Sequence, residues 1–229
     1  MKRFVKGLIF DYGGTLDTNG CHWAEVIWEE YKRHNVPVSY DRFREAFVSV
    51  ERLFGRESII QPYFNFFDTM LTKIKYQFEA LHFVDKSIEQ RIAEACYQRA
   101  AVHATISKIL LRPLKEKYPM QLVSNFYGNL PSVLDDFGLT PFFDHVIESE
   151  QVKIRKPDPA IFSLALANWE FLPSEVAIIG DSYKNDITPA IELGCQSIWL
   201  KGKSFHEEDN FIGHPNIIRD ITAVKDYLL

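Results

Sequence analysis

Residues 4–15 read Phe-Val-Lys-Gly-Leu-Ile-Phe-Asp-Tyr-Gly-Gly-Thr. A short apolar run from Phe4 to Phe10, broken by one Lys and one Gly, stops abruptly at Asp11 and a glycine pair. That pattern predicts a buried strand running into a glycine loop. From about residue 21 to 103 no strand is predicted. Phe43, Ala46, Phe47, Val50, Leu53 and Phe54 follow helical spacing, as do Phe67, Met70, Leu71, Ile74 and Phe78, and a further helix is expected over 87–101. Beyond residue 103 the rhythm changes. Strands are predicted at 120–123, 145–147, 176–179, 196–200 and 216–218. Helices separate them: 129–137 with Pro131 near its start, one capped by Asp158 with Pro159 first and ending at Trp169, 187–193 closed by Gly194, and one from about Ile221. Strands alternating with helices at this spacing predict an α/β fold, a doubly wound parallel sheet covered on both faces.

A chain of 229 residues fits one large domain or one domain with a sizeable insertion. With 46% hydrophobic and 25% charged residues it is neither disordered nor fibrous. Its 14% aromatics support a substantial core, with material for a second, aromatic-rich one. The 26 basic and 31 acidic residues leave a net charge of −5, which argues against a nucleic-acid partner. No segment approaches the ~20 consecutive apolar residues that span a bilayer, so no membrane partner is expected. The N-terminal apolar run is too short for a signal peptide. Cys21, Cys96 and Cys195 are widely spaced and odd in number, matching neither a disulfide framework nor a zinc ribbon; the expected compartment is cytoplasmic.

In doubly wound folds ligands bind beyond the carboxyl ends of the strands. The residues there are Asp11, Ser124 with Asn125, Lys156 in the loop after the third strand, and Asp181. Facing carboxylates repel, and one protonates unless a cation intervenes. Mg²⁺ resolves that conflict, since it takes one or two carboxylates plus water and phosphate oxygens. A Lys and a hydroxyl nearby supply positive charge and a donor for a phosphoryl oxygen, and Asp11 is placed to act as a covalent nucleophile.

Four stretches, LIFDYGGTLD (8–17), LVSN (122–125), KPDPAIF (156–162) and IIGDSYKND (178–186), resemble the four ordered motifs of the haloacid dehalogenase superfamily. The likeness spans essentially the whole chain. It implies a Rossmann-like α/β core over 1–17 and 104–229, with an inserted helical cap domain over 18–103. It further implies that Asp11 is nucleophile and Mg²⁺ ligand, Ser124 the phosphate-binding hydroxyl with Asn125 beside it, and Lys156 the cation holding nucleophile and phosphoryl group. Asp181 is then a metal ligand, and Asp186 a carboxylate orienting Lys156 or a metal-bound water. The implied activity is a Mg²⁺-dependent phosphatase acting on a small phosphorylated metabolite through an aspartyl-phosphate.

One position departs from the pattern. Phosphatases of this superfamily carry a second Asp two residues after the nucleophile, as general acid/base; here that residue is Gly13. The family residue also gives its backbone carbonyl to the metal, and Gly13 retains that group. The dehalogenases carry Asp-x-Tyr and the phosphonatases Asp-x-Ala at this place, and Gly13 matches neither. Phosphonatases also use a Schiff-base Lys from the cap; Lys73, Lys75 and Lys86 are available but read as solvated helix residues. Three readings of Gly13 stand: a side chain elsewhere supplies the proton, the substrate needs none, or the protein binds a phosphate ligand or a protein partner without efficient turnover.

Other residues have plainer readings. Asp17 reads as a hinge or turn residue at the start of the cap, and Asp186 equally as the N-cap of the next helix. Lys153 and Arg155 read as a solvated basic face beside Lys156. His22, His82 and His103 carry no assigned role, the Phe stripes read mostly as cap core, and residues 206–209 (His-Glu-Glu-Asp) read as a solvated loop.

Overall fold

A computed structural model describes residues 4–205 and 212–229; the tetrad at 206–209 lies outside the described residues. Among the described residues six strands form one all-parallel sheet: β1 (Gly7–Phe10), β2 (Met120–Ser124), β3 (His145–Glu148), β4 (Val176–Gly180), β5 (Gln196–Leu200) and β6 (Ile217–Ile218), in the order β3-β2-β1-β4-β5-β6. The chain winds outward from β1 to β3, then crosses back to pair β4 on the other side of β1. The carboxyl end of β1 is therefore a topological switch point, where a crevice opens.

Alternation along each strand feeds two cores. Leu8, Phe10, Leu122 and Ile179 face one side, whereas Ile9, Val123, Ile178 and Val176 face the other, against Ile161, Phe162 and Ala165 of the helix Ala160–Leu166. The latter helix is shorter than expected. Pro159 already has helical backbone, and Asp158 accepts from the Ala160 N–H at 2.9 Å, so the expected cap acts one residue further on.

Between β1 and β2 lie four helices: α1 (Trp23–Arg33), α2 (Tyr40–Phe54), α3 (Phe66–Ala80) and α4 (Lys86–Lys115). Each begins at a side chain that accepts from its first turn, namely His22, Ser39, Asn65 in a capping box with Asp68, and Asp85. Helix α4 runs well past the expected end at 101, because Ala104, Ser107, Leu110, Leu111 and Leu114 continue its buried face. Residues 103 and 104 consequently fall inside an unbroken helix. The aromatic stripes are core, as read: Tyr31 lies edge-on to Phe43 and Phe78 at 5.0 and 5.5 Å. Most of them join the sheet's Leu8 and Phe10 side in one continuous cluster, while Val50 and Phe54 pack with Ile60 in a small separate one.

Lys73 corrects the reading of a solvated helix lysine. Its side chain is 4% exposed, and Nζ lies 2.6 Å from Glu51 Oε1 and 2.7 Å from the Tyr127 hydroxyl, which itself donates to Glu51 Oε2. Burial alone would lower the Lys73 pKa; Glu51 and Tyr127 outweigh it and hold the ammonium above its ordinary value. Such an amine is unsuited to Schiff-base chemistry. Lys75 and Lys86 are exposed, as expected. Glu51→Leu strands this ammonium without its carboxylate, and the expected loss is about 3–5 kcal/mol of stability, read from the urea midpoint at unchanged m value. Lys73→Met in the same chain should recover most of it. No helix among the described residues is long and apolar enough to cross a membrane.

Candidate active site

The loop after β1 turns sharply because Gly14 takes φ +94°, and a Cβ there would sit 2.4 Å from Asp181 Oδ2. Gly180 ends β4 for a similar reason: its Cβ would meet Asp186 Cγ at 2.4 Å. Two glycines thus let the loops after β1 and β4 approach closely enough for their acids to share a site. The carboxylate oxygens of Asp11, Asp181 and Asp186 gather within 4.8 Å of one another.

Lys156 bridges two of them, Asp11 and Asp186. Its Nζ is 2.5 Å from Asp11 Oδ1 and 2.6 Å from Asp186 Oδ1, and it donates to the Val123 carbonyl at 3.2 Å. Burial disfavours the ammonium, but Asp11 and Asp186 prevail and raise the Lys156 pKa. Ser124 donates to Asp11 Oδ1 at 3.3 Å. Asn125 pins the Lys156 backbone in both directions, Nδ2 donating to its carbonyl at 3.0 Å and Oδ1 accepting from its N–H at 2.9 Å. The structure therefore brings together Asp11, Ser124, Asn125, Lys156, Asp181 and Asp186, and all six line one cavity of about 130 Å³ with Gly13. Asp186 is no N-cap: it sits within a π-helical turn (Tyr183–Ile187) capped by Ser182, and its Oδ2 accepts from the Ser182 N–H at 3.0 Å.

The acids pay for this proximity. Asp186 is pushed up to about 6 by burial and by Asp11, against the pull of Lys156. Asp181 is raised further, by burial and then by Asp11 and Asp186. A divalent cation would offset the repulsion among these acids beyond what Lys156 does, and hard carboxylate oxygens suit Mg²⁺. Both oxygens of Asp186 are engaged by Lys156 and Ser182, and both of Asp11 by Lys156, Ser124 and Thr15, whereas the Asp181 carboxylate accepts from Thr15 alone and is the freest of the three.

Three features escaped the sequence. Thr15 donates to Asp11 Oδ2 at 2.9 Å and lies 3.2 Å from Asp181 Oδ1, while its oxygen accepts from the Asp181 N–H at 3.0 Å. It stitches the two loops together, and a hydroxyl four residues after Asp11 in a glycine loop was the available signal. The segment after β5 also lines the cavity, through Lys201, Gly202 and Ser204; the rule that selected the other strand ends applies equally there. His22 lines it from the start of α1, its ring stacked on Phe205 at 5.1 Å and its Nδ1 accepting from Ala24.

Asp17 is a turn residue of an unusual kind. It is fully buried, accepting from the Gly14 N–H at 2.7 Å and from Trp23 Nε1 at 2.8 Å. Burial, helped by Asp11 and opposed by those hydrogen bonds, lifts its pKa from 3.8 to about 7. The folded state therefore holds a proton that the unfolded state releases between these values. Its contribution to stability is complete below about pH 4 and is lost as pH rises through about 7, on the order of 4 kcal/mol in all. In thermal melts with Mg²⁺, Asp17→Asn should flatten the decline of stability between pH 4 and 8 relative to the unsubstituted chain.

Residues 5–194 match the haloacid dehalogenase-like hydrolase family. The chain belongs to that family. Among its relatives this hydrolase is 29% identical to glyceraldehyde 3-phosphate phosphatase of Pyrococcus furiosus over 220 residues, 90% of this chain and 85% of that one. It is 26% identical to (S)-2-haloacid dehalogenase of Pseudomonas fluorescens over 234 residues, 98% and 97% of the two chains. Solved structures share the fold: a HAD phosphatase from Thermococcus onnurineus (TM-score 0.56, 22% identity, 98% of each chain) and a dehalogenase (TM-score 0.65, 17% identity, 98% and 97%).

Proposed function

We propose that this hydrolase is a Mg²⁺-dependent phosphatase of small phosphorylated metabolites, working through an aspartyl-phosphate on Asp11. The observation that carries the reading is the hold on that carboxylate: Lys156 and Ser124 on Oδ1 and Thr15 on Oδ2, at the floor of a polar cavity. A carboxylate so held is oriented for in-line attack. An Asp11 oxygen forms a bond to phosphorus as the bond to the leaving-group oxygen breaks. Lys156 and Ser124 then offset charge on the phosphoryl oxygens, and water attacking phosphorus releases the carboxylate. Asp11, the Gly13 carbonyl and Asp181 are the residues we assign to Mg²⁺, which when bound neutralises phosphoryl charge. Asp186 orients Lys156, and Asn125 fixes its backbone.

Residues 18–103 act in this reading as a cap over the core of 1–17 and 104–229, excluding water during transfer. The relatives named as phosphatases of small phosphate esters favour this substrate class. Free Cys21, Cys96 and Cys195 fit a reducing, cytoplasmic setting. The test is turnover of p-nitrophenyl phosphate, acetyl phosphate and a panel of phosphate monoesters, with Mg²⁺ and after its removal by chelation. Turnover that needs the metal supports the reading, and none with any substrate overturns it.

A second reading, binding a phosphate ligand or a partner without efficient turnover, is favoured by Gly13. A Cβ built there meets no heavy atom within 4 Å, so the place of the general acid/base is open space.

A further inference from the structure

Beside the catalytic cavity runs a second groove of about 440 Å³, and His22 is in the wall of both. Arg52 on α2 and Arg56 one turn beyond it line the groove from the cap; Arg155, next to Lys156, lines it from the core. All three side chains are exposed. The arginine ion pairs among the described residues are Arg33–Glu30 and Arg99–Glu29, so none of these three guanidinium groups has a described carboxylate within 4.0 Å. The groove's own carboxylate, Glu51, is taken by Lys73 and Tyr127. Phe47 and Phe205 supply an apolar wall.

Three permanently charged groups around one groove repel one another until an anion sits among them. This happens on a chain whose net charge is −5, so the basic patch is local, and it attracts anions to the mouth of the cavity. Guanidinium forks match the paired oxygens of phosphate and carboxylate. We propose that Arg52, Arg56 and Arg155 bind a second oxyanion carried on the far end of the substrate, making the substrate class phosphate esters with a remote phosphate or carboxylate. This rests on the phosphatase reading for the phosphoryl end; the carbon body lies along Phe47 and Phe205.

The test is calorimetric binding, with Mg²⁺ present, of three non-hydrolysable probes of equal chain length: an alkyl phosphonate, an alkane diphosphonate and a phosphonocarboxylate. The two double anions should bind about 10-fold more tightly than the single one, or better, by charge-assisted hydrogen bonds at the remote end. In Arg52→Gln/Arg56→Gln/Arg155→Gln the difference should shrink to about twofold or less. The ratio is its own control, because a misfolded variant loses all three ligands rather than the difference. Equal affinities in the unsubstituted protein, or a preference that survives the triple substitution, overturn the proposal. A preference for only one double anion identifies which oxyanion is read. Absence of turnover of every phosphate ester of the panel by the unsubstituted chain overturns the phosphatase reading, and with it the groove's place as a substrate subsite, even where anions bind.

Discussion

Asp11→Asn is expected to abolish turnover of every phosphate ester, a loss of roughly 10⁴–10⁶-fold in kcat by the standard of other covalent nucleophiles. The substitution is nearly isosteric. Lys156 retains Asp186 at 2.6 Å, so its ammonium is not left unpaired. One of the acids that raise Asp181 also disappears, which relieves repulsion at the site. Folding should therefore survive, and a thermal melt no lower than that of the unsubstituted chain separates lost chemistry from lost structure. The phosphoenzyme provides a second readout. Denaturing mass spectrometry after acetyl phosphate should find a phosphoryl adduct on the unsubstituted chain and none on the variant. Substantial residual turnover in Asp11→Asn would remove Asp11 as nucleophile, whatever the fate of the rest of the site.

Gly13→Asp is expected to act in the opposite direction. A general acid/base contributes roughly 10²–10⁴-fold, and the expected gain in kcat/KM on alkyl phosphates is of that order. Aryl and acyl phosphates, whose leaving groups depart without a proton, should respond little. The backbone permits the change, since a side chain at 13 enters open space and Gly13 is not among the glycines with positive φ. Proximity to Asp11 and Asp181 would raise the new carboxyl's pKa, which suits a proton donor near neutrality. Silence from the unsubstituted chain with activity in Gly13→Asp favours the binding reading over the enzyme reading. Equal activity on alkyl phosphates in both shows that another group already supplies the proton.

Much of this was readable beforehand. The switch from helical stripes to alternating strands and helices placed the sheet. The rule about strand ends selected Asp11, Ser124, Lys156 and Asp181, which do meet around one cavity. Lys73 was misread because an isolated lysine in an amphipathic helix has no local mark of burial; its partners, Glu51 and Tyr127, stand 22 and 54 residues away. Helix α4 outruns the expected 87–101 because its apolar stripe continues through Ala104, Ser107, Leu110, Leu111 and Leu114.

The residue sequence by itself determined the order of the elements, the four motif-bearing strand ends and the absence of a carboxylate at position 13, because periodicity and residue chemistry are local properties. Tertiary structure alone decided that Thr15 spans Asp11 and Asp181, that Asp17 is buried under Trp23, and that Arg155 shares a groove with Arg52 and Arg56. The first depends on the pairing of β4 with β1, which sets their two following loops side by side; the others depend on how the helices inserted after β1 fold back over the sheet's carboxyl ends. Burial and opposing charge act through space, and they set the state of each group only after the chain has closed around it.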